Sequence, residues 1–206
     1  MTAERKKSHI NADGLFRQNI VLMSGLVTAP IIVAATTLQR ALVLTLSFFA
    51  ISYVSILICR FIPRKIVYTV RILLYSMVAA AAFIPTVIGL RYLFPETTGE
   101  IMLYIELSVV NSLILAKTES RFYLEPYGRM AVDALIYIAG YAMAAFTSGL
   151  IREILSFGTI FGFHVCEPIV PAAKSPFFGF ILVGILAAFC RAAAGKRVSS
   201  GKERAK

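Results

Sequence analysis

An interrupted apolar stretch, residues 20–37, decides the fold of this chain, and it reads IVLMSGLVTAPIIVAATT. The interruption falls midway, at Thr28, Ala29 and Pro30. A second run, residues 101–116, reads IMLYIELSVVNSLILA and is interrupted at Asn111 and Ser112. Interrupted hydrophobic segments at corresponding places in two halves indicate a membrane protein whose site lies near the bilayer midplane. We therefore expect two broken membrane helices.

Composition places the whole chain in a membrane. Of its 206 residues, 58% are hydrophobic and 16% are charged, and the mean hydropathy is +0.78. A helix needs about 20 apolar residues to cross a bilayer. Six runs free of formal charge predict six spans, the fourth of them extended back to residue 101: 18–39, 41–59, 72–90, 107–116, 134–151 and 175–190. The first is too long for the apolar part of a signal peptide, so we expect a retained helix.

The distribution of basic residues predicts the orientation. With the N-terminus in the cytoplasm, all of the 21 Lys and Arg except Arg40, Arg91, Arg152 and Lys174 fall on the inner side. This distribution satisfies the positive-inside rule. Anionic lipid head groups are then a sufficient partner for the net charge of +10. A nucleic acid partner is not expected. Both termini are predicted to be cytoplasmic, in the inner membrane of a bacterium.

The six spans divide into two sets of three around residues 94–99. An odd number of spans per half makes the second half enter the membrane from the opposite side, which is the inverted-repeat topology. We expect an all-α integral membrane protein with one membrane domain, residues 1–206. Repeat one covers about 15–93 and repeat two about 100–194, each opening with a broken helix. Basic cytoplasmic tails, 1–14 and 195–206, flank them.

Four separated motifs carry a resemblance to a known family. They are APIIVAATTLQRAL at 29–42, IPRKI at 62–66, VVNSLILA at 109–116 and IREILSFGT at 151–159. Their residues and order resemble those of the Rnf and Nqr membrane subunits, most closely the E-type subunit of Rnf and the D-type subunit of Nqr. The resemblance extends from about residue 18 to residue 190.

The resemblance implies a place in an ion-translocating electron transport complex that connects ferredoxin, or another low-potential donor, with a nicotinamide or quinone acceptor. It implies an A-type sister subunit as partner, alongside further Rnf-like subunits that carry FMN or riboflavin. In the family, the two sister subunits hold a 2Fe-2S cluster between their broken helices. The family's cysteine positions correspond to Ala29 and Ser112 here, next to Pro30 and Asn111. Such clusters need thiolate ligands, so we expect the cluster to be absent or altered.

Other candidate residues are weaker. Glu106 lies within the fourth span, where an acidic residue suggests an ion path, although water at the membrane surface would explain it equally well. The run of His164, Cys166 and Glu167 invites a metal interpretation, but one short cluster is weak evidence and a surface loop is the simpler interpretation.

The remaining polar residues near the span ends are expected to have structural roles. Cys59 and Cys190 are most simply small apolar residues, with a displaced cluster as the alternative. Asp133 and Glu153, at the two ends of the fifth span, are predicted to be interface residues. Arg152 and Glu153 are candidates for a local pair, which contributes little when exposed. Gly140, Ala144 and Ser148 form a small-residue stripe for a neighbouring helix or the sister subunit.

No catalytic motif is present in the sequence, so the chain alone is not expected to be an enzyme or to bind a cofactor or metal. The favoured function is a structural or ion-path role as a membrane subunit of an Rnf-like complex. The alternative is a small-solute or cation transporter that uses the broken helices. A third possibility retains redox function, with ligands from the sister subunit or from Cys59 and Cys190.

Overall fold

The computed structural model describes residues 19, 21, 22, 24, 25, 27–63, 65–110, 112–119 and 126–203, with the backbone alone for 112, 116, 117 and 193–203. These residues form eight α-helices, a short antiparallel hairpin and a 3-10 helix. The α-helices are α1 Thr28–Ala34, α2 Leu38–Cys59, α3 Tyr68–Leu93, α4 Pro95–Glu100, α5 Met102–Leu107, α6 Ser112–Lys117, α7 Tyr127–Phe157 and α8 Pro176–Glu203. The strands are β1 Thr159–Ile160 and β2 Phe163–His164, followed by the 3-10 helix Pro171–Lys174.

Three helices in the described part of the chain are long and apolar enough to cross a membrane. They are α2, α3 and α7, with 22, 26 and 31 residues. The first part of α8, Pro176–Ala192, is a shorter apolar helix. In the described parts of the first and fourth expected spans the helices are short: α1 in the first, and α5 and α6 in the fourth. The expected helical membrane fold is therefore found, with three long spans in the part of the chain that the structure describes.

The ends of the short helices lie close to the two expected interruptions. Residues Thr28 and Pro30 lie inside the first turn of α1, where the missing N–H of a proline leaves no helical bond unmade. The described residues of the first span before Thr28 are non-helical, with Val27 in the left-handed conformation, and 35–37 form the turn between α1 and α2. At the second expected interruption, α5 ends at Leu107 and α6 begins at Ser112. Asn111 itself and the tail 1–14 lie outside the described residues.

The core of the bundle is the antiparallel pair of α2 and α7. At mid-height the rings of Phe48 and Tyr141 stack with centroids 4.0 Å apart. Near one end, the rings of Phe61 and Tyr127 lie 6.2 Å apart. A Cβ on Gly149 of α7 would lie 3.0 Å from atoms at the start of α2. Small residues therefore let these two helices approach closely.

Two ion pairs tie the segment 95–119 to the first half of the chain at opposite ends of the bundle. At the end where α2 begins, which we name the Arg40 end, Arg40 donates to Glu100 at 2.8 Å. At the opposite end, where α3 begins, Arg71 donates through Nε and Nη2 to both carboxylate oxygens of Glu119, at 2.7 and 2.8 Å. The hydroxyl of Tyr75 also donates to Glu119. The chain between Glu100 and Glu119 thus extends from one end of the bundle to the other.

Candidate functional site

Two consecutive charged residues of α7 face the interruption between α1 and α2. Arg152 has no exposed surface, and Glu153 is 2% exposed. Buried charges in a protein interior need partners, because removing an ion from water is costly. The bonds made by these two side chains define the candidate site, which we name the break clamp.

Arg152 binds the end of α1. Its Nη1 donates to the carbonyl oxygens of Ile32 at 2.7 Å and Ala35 at 3.3 Å. The remaining donors reach the other side of the clamp, where the 3-10 helix leads into α8. There Nε and Nη2 donate to three successive carbonyls: Ala173 at 3.0 Å, Lys174 at 2.9 Å and Ser175 at 3.2 Å.

Glu153 binds the start of α2. Its Oε2 accepts a hydrogen bond from the backbone N–H of Leu38 at 2.6 Å. The other oxygen, Oε1, accepts from the Thr159 hydroxyl and the Gly162 N–H, both at 3.2 Å. One carboxylate thus joins the first turn of α2 to the hairpin that follows α7.

The charges of the break clamp match the helix ends that they meet. The C-terminal end of a helix carries partial negative charge and its N-terminal end partial positive charge. Arg152 lies at the C-terminal end of α1, and Glu153 lies at the N-terminal end of α2. The backbone groups that the break leaves without helical partners are therefore bonded by side chains of α7.

Gly179 lets α8 approach the break clamp. A Cβ at this position would lie inside contact distance of the Ile32 carbonyl oxygen and 3.2 Å from Nη1 of Arg152. Only glycine leaves room for the bond between those two groups. The packing of α8 is thus part of the geometry that holds the end of α1.

Asn19 is a buried polar residue that sequence reasoning missed. It has no exposed surface, and its Nδ2 donates to the carbonyl of Gly140 at 2.9 Å. Its Oδ1 accepts from the N–H groups of Val21 and Leu22, at 2.9 and 3.0 Å. It therefore fixes a non-helical turn to the middle of α7, since Gly140 adjoins the stacked ring of Tyr141. Because Asn19 directly follows Arg17 and Gln18, the sequence did not set it apart from the polar residues before the apolar run.

The described residues of the predicted degenerate cluster site lie in two helices, α1 and α6. Ala29 is exposed and Pro30 is buried, both in α1. Ser112 begins α6, with its side chain outside the described atoms, and Asn111 lies outside the described residues. However, α1 packs against α5, the helix that ends just before the second interruption. Glu106 is exposed on α5.

The prediction that Glu153 is an interface residue was wrong. Both Glu153 and Arg152 are buried, and they bond to the ends of α1 and α2. The sequence suggested a surface pair because both residues stand at the end of an apolar run. Their partners lie more than one hundred residues earlier in the chain, which periodicity does not reveal.

The cysteines and the acidic loop are distributed over different elements. Cys59 is buried at the end of α2, while Cys166 and Cys190 are partly buried, and all three are free. His164 and Glu167 are exposed near Cys166. Within the residues that the structure describes, no three His, Cys, Asp or Glu side chains form a group suited to a metal ion.

These features define a helical membrane protein in which a buried Arg–Glu dipeptide of α7 holds the end of the short helix α1 and the start of α2. Residues 8–188 match the family model described as Rnf-Nqr subunit, membrane protein. The match covers most of the chain. The chain therefore belongs to the Rnf-Nqr family of membrane subunits.

Curated relatives carry names from both branches of the family. The chain is 26% identical to the D-type subunit of the Na(+)-translocating NADH-quinone reductase of Pseudoalteromonas atlantica over 164 residues, covering 76% of this chain and 78% of the relative. It is 29% identical to the E-type subunit of the ion-translocating oxidoreductase complex of Paramagnetospirillum magneticum over 149 residues, covering 72% and 67%. The D-type reductase subunit of Yersinia enterocolitica is 24% identical over 155 residues, covering 75% and 74%.

Proposed function

We propose that this chain is the E-type or D-type membrane subunit of an Rnf-like, ion-translocating electron transport complex. Relatives named as subunits of both kinds of complex support this role. The break clamp is the structural observation that carries it, because it gives the chain a fixed broken helix next to the segment that contains the second interruption. Its role is structural, with a possible ion path, and the complex lies in the bacterial inner membrane.

The proposed topology is six spans in two inverted repeats, with both termini in the cytoplasm. The ion pairs at opposite ends of the bundle support a fourth span, because they bring Glu100 and Glu119 to different ends of α2 and α3. About 20 residues of helix match the thickness of a bilayer, and the intervening segment is close to that length. In this topology the Arg40 end faces the periplasm.

The residues at the family's ligand positions do not fit an iron–sulfur cluster. Ala29 offers a methyl group with no lone pair, and a serine hydroxyl is a poor ligand for a metal that favours thiolates. Electron transfer through such a cluster is therefore not part of the proposed role. The flavins and the nicotinamide site are assigned to partner subunits, among them an A-type sister.

Glu106 is the proposed ion-path residue of this chain. It is exposed on α5, within the segment tied at both ends to the first half. An acidic side chain in a membrane segment is a functional candidate because its charge is costly in lipid. Glu106→Gln in the whole complex is expected to reduce Na⁺ or H⁺ movement. Glu96→Gln is the matched control, because Glu96 is exposed on α4, and it should leave this movement unchanged.

Purification of the tagged protein from native membranes tests the proposed function. The expected result is copurification of flavin-bearing subunits and an A-type sister, without iron or labile sulfide assignable to this chain. Stoichiometric iron bound by this chain would contradict the structural role. Recovery of the chain alone, active in solute uptake after reconstitution, would instead establish the transporter alternative.

A further inference from the structure

The hairpin that follows α7 exposes large apolar side chains at the Arg40 end of the bundle. We name residues 159–170 the apolar hairpin. Its exposed side chains include Phe161 at 53%, Phe163 at 78%, Val165 at 60% and Ile169 at 69%. Glu167 is the single formally charged residue between positions 158 and 173. Contiguous exposed apolar surface of this kind marks contact with a membrane or with another protein.

The apolar hairpin is fixed to the end of α7. The carbonyl of Gly158 accepts from the N–H groups of Val165 and Cys166, at 2.8 and 3.0 Å. Val170 donates its N–H to the carbonyl of Leu155 at 2.8 Å. No polar spacer separates the hairpin from α7, so it stays at the level where this membrane helix ends.

The turn of the apolar hairpin contains a strained phenylalanine. Ile160 pairs with Phe163, which leaves Phe161 and Gly162 as a two-residue loop with φ of 52° and 82°. Positive φ at both positions is the geometry of a type I′ turn, which favours Asn and Gly. A bulky residue in this region is an outlier. Because the ring of Phe161 is more than half exposed, the strain is not offset by burial within the chain.

The neighbouring helix ends indicate which environment covers the apolar hairpin. Phe157, the last residue of α7, is 43% exposed, and Phe177 and Phe180 at the start of α8 are 74% and 63% exposed. Aromatic side chains at span ends commonly lie at the membrane–water interface. The exposed apolar surface of the hairpin continues the lipid-facing surface of these two helices.

We propose that the apolar hairpin inserts into the interfacial region of the lipid leaflet at the Arg40 end and anchors the ends of α7 and α8 there. Because Glu153 bonds both the hairpin and the start of α2, the anchor also fixes the break clamp relative to the bilayer surface. This function is separate from any role in electron transport.

Tryptophan fluorescence tests the anchor, since the chain has no Trp. The full-length Phe163→Trp variant is reconstituted into phospholipid vesicles whose acyl chains are brominated at shallow or deep positions. Two reference variants are Leu73→Trp, on the lipid-facing side of α3, and Glu96→Trp, on exposed α4. Ile169→Trp serves as a second probe if the first variant is not monodisperse.

The expected emission of Phe163→Trp is shifted to the blue of Glu96→Trp and quenched by shallow bromines about as strongly as Leu73→Trp. Quenching by deep bromines should be weaker than for Ile84→Trp, a further reference exposed near mid-height of α3. Emission like that of Glu96→Trp, or blue-shifted emission that bromines do not quench, would overturn the proposal.

Photocrosslinking tests the same surface in the assembled complex. Phe163 is replaced by p-benzoylphenylalanine and the cells' native membranes are irradiated. Lipid adducts on this chain are the expected product. A crosslink to another polypeptide would show a protein partner, and absence of any adduct would show exposure to water, so either result overturns the anchor. Neither result bears on the copurification test of the proposed function.

Discussion

Replacing Arg152 with methionine should destabilise the fold by removing the donor side of the break clamp. Methionine has a comparable apolar stem but no donor, so the carbonyls of α1 and of the 3-10 helix lose their guanidinium partner. Three of the lost bonds are 3.0 Å or shorter. At about 1 kcal/mol net for each, the loss is about 3 kcal/mol. That corresponds to roughly a hundredfold in the folded-to-unfolded ratio.

Thermal unfolding in detergent can be followed through the buried thiol of Cys59, which has no exposed surface. Cys166 and Cys190 are first replaced by serine, so that a thiol-reactive fluorescent dye reports exposure of Cys59 alone. A loss of about 3 kcal/mol should lower Tm by about 6 to 12 °C for a chain of this length.

Arg129→Met is the matched control, because Arg129 lies on the same helix and is exposed. Its Tm should stay close to that of the parent, since exposed substitutions usually change stability by less than about 0.5 kcal/mol. Arg152→Lys should recover part of the loss, because an ammonium group has fewer donors in a different geometry. Equal Tm values for Arg152→Met and Arg129→Met would refute the clamp.

The remaining predictions use the same assay. Glu153→Gln should cost about 1 to 2 kcal/mol, because the amide keeps one acceptor but loses the charge that bonds the first turn of α2; a Tm at or above that of the parent would contradict this role. Gly179→Ala should lower Tm, because the added Cβ would push α8 away from a carbonyl of α1. Gly184→Ala is the control, since its Cβ would meet nothing within 4 Å, and it should be neutral or slightly stabilising. Equal effects of the two variants on Tm would show that the close packing of α8 is not needed. Glu119→Gln should lower the free energy of unfolding by about 3 to 5 kcal/mol, because Arg71 stays buried without the carboxylate. A loss below about 1 kcal/mol would show that this ion pair contributes no more than an exposed one.

Sequence reasoning found the apolar helices because their signal is local. The long runs around α2, α3 and α7 directly indicate membrane helices, and the interruption before Ser112 lies where it was expected. Proline in the first span suggested a helix break, and Pro30 lies in the first turn of α1, where a helix accepts proline. The described residues just before this turn are non-helical, with Val27 in the left-handed conformation.

The break clamp could not be predicted from local pattern. Arg152 and Glu153 belong to one of the motifs that carry the family resemblance, but their position at the end of an apolar run suggested head-group contact. Only the packing of α7 on α2 shows that the two side chains meet α1 and α2. The partners of these buried charges are backbone groups, which every residue has. The sequence therefore contains no residue of opposite charge that would reveal the contact.

The break clamp holds α1 by bonds that do not involve the positions proposed for a degenerate cluster site. The bonds that hold α1 run from its carbonyl end to Arg152, whereas Ala29 lies in its first turn and is exposed. A metal cluster is therefore not needed to hold the far end of α1 in place. In the proposed function, the bonds that hold α1 are therefore physically separate from the ligand positions. The ligand positions and the clamp should respond independently to mutation, and Ala29→Cys is expected to leave Tm unchanged while Arg152→Met lowers it.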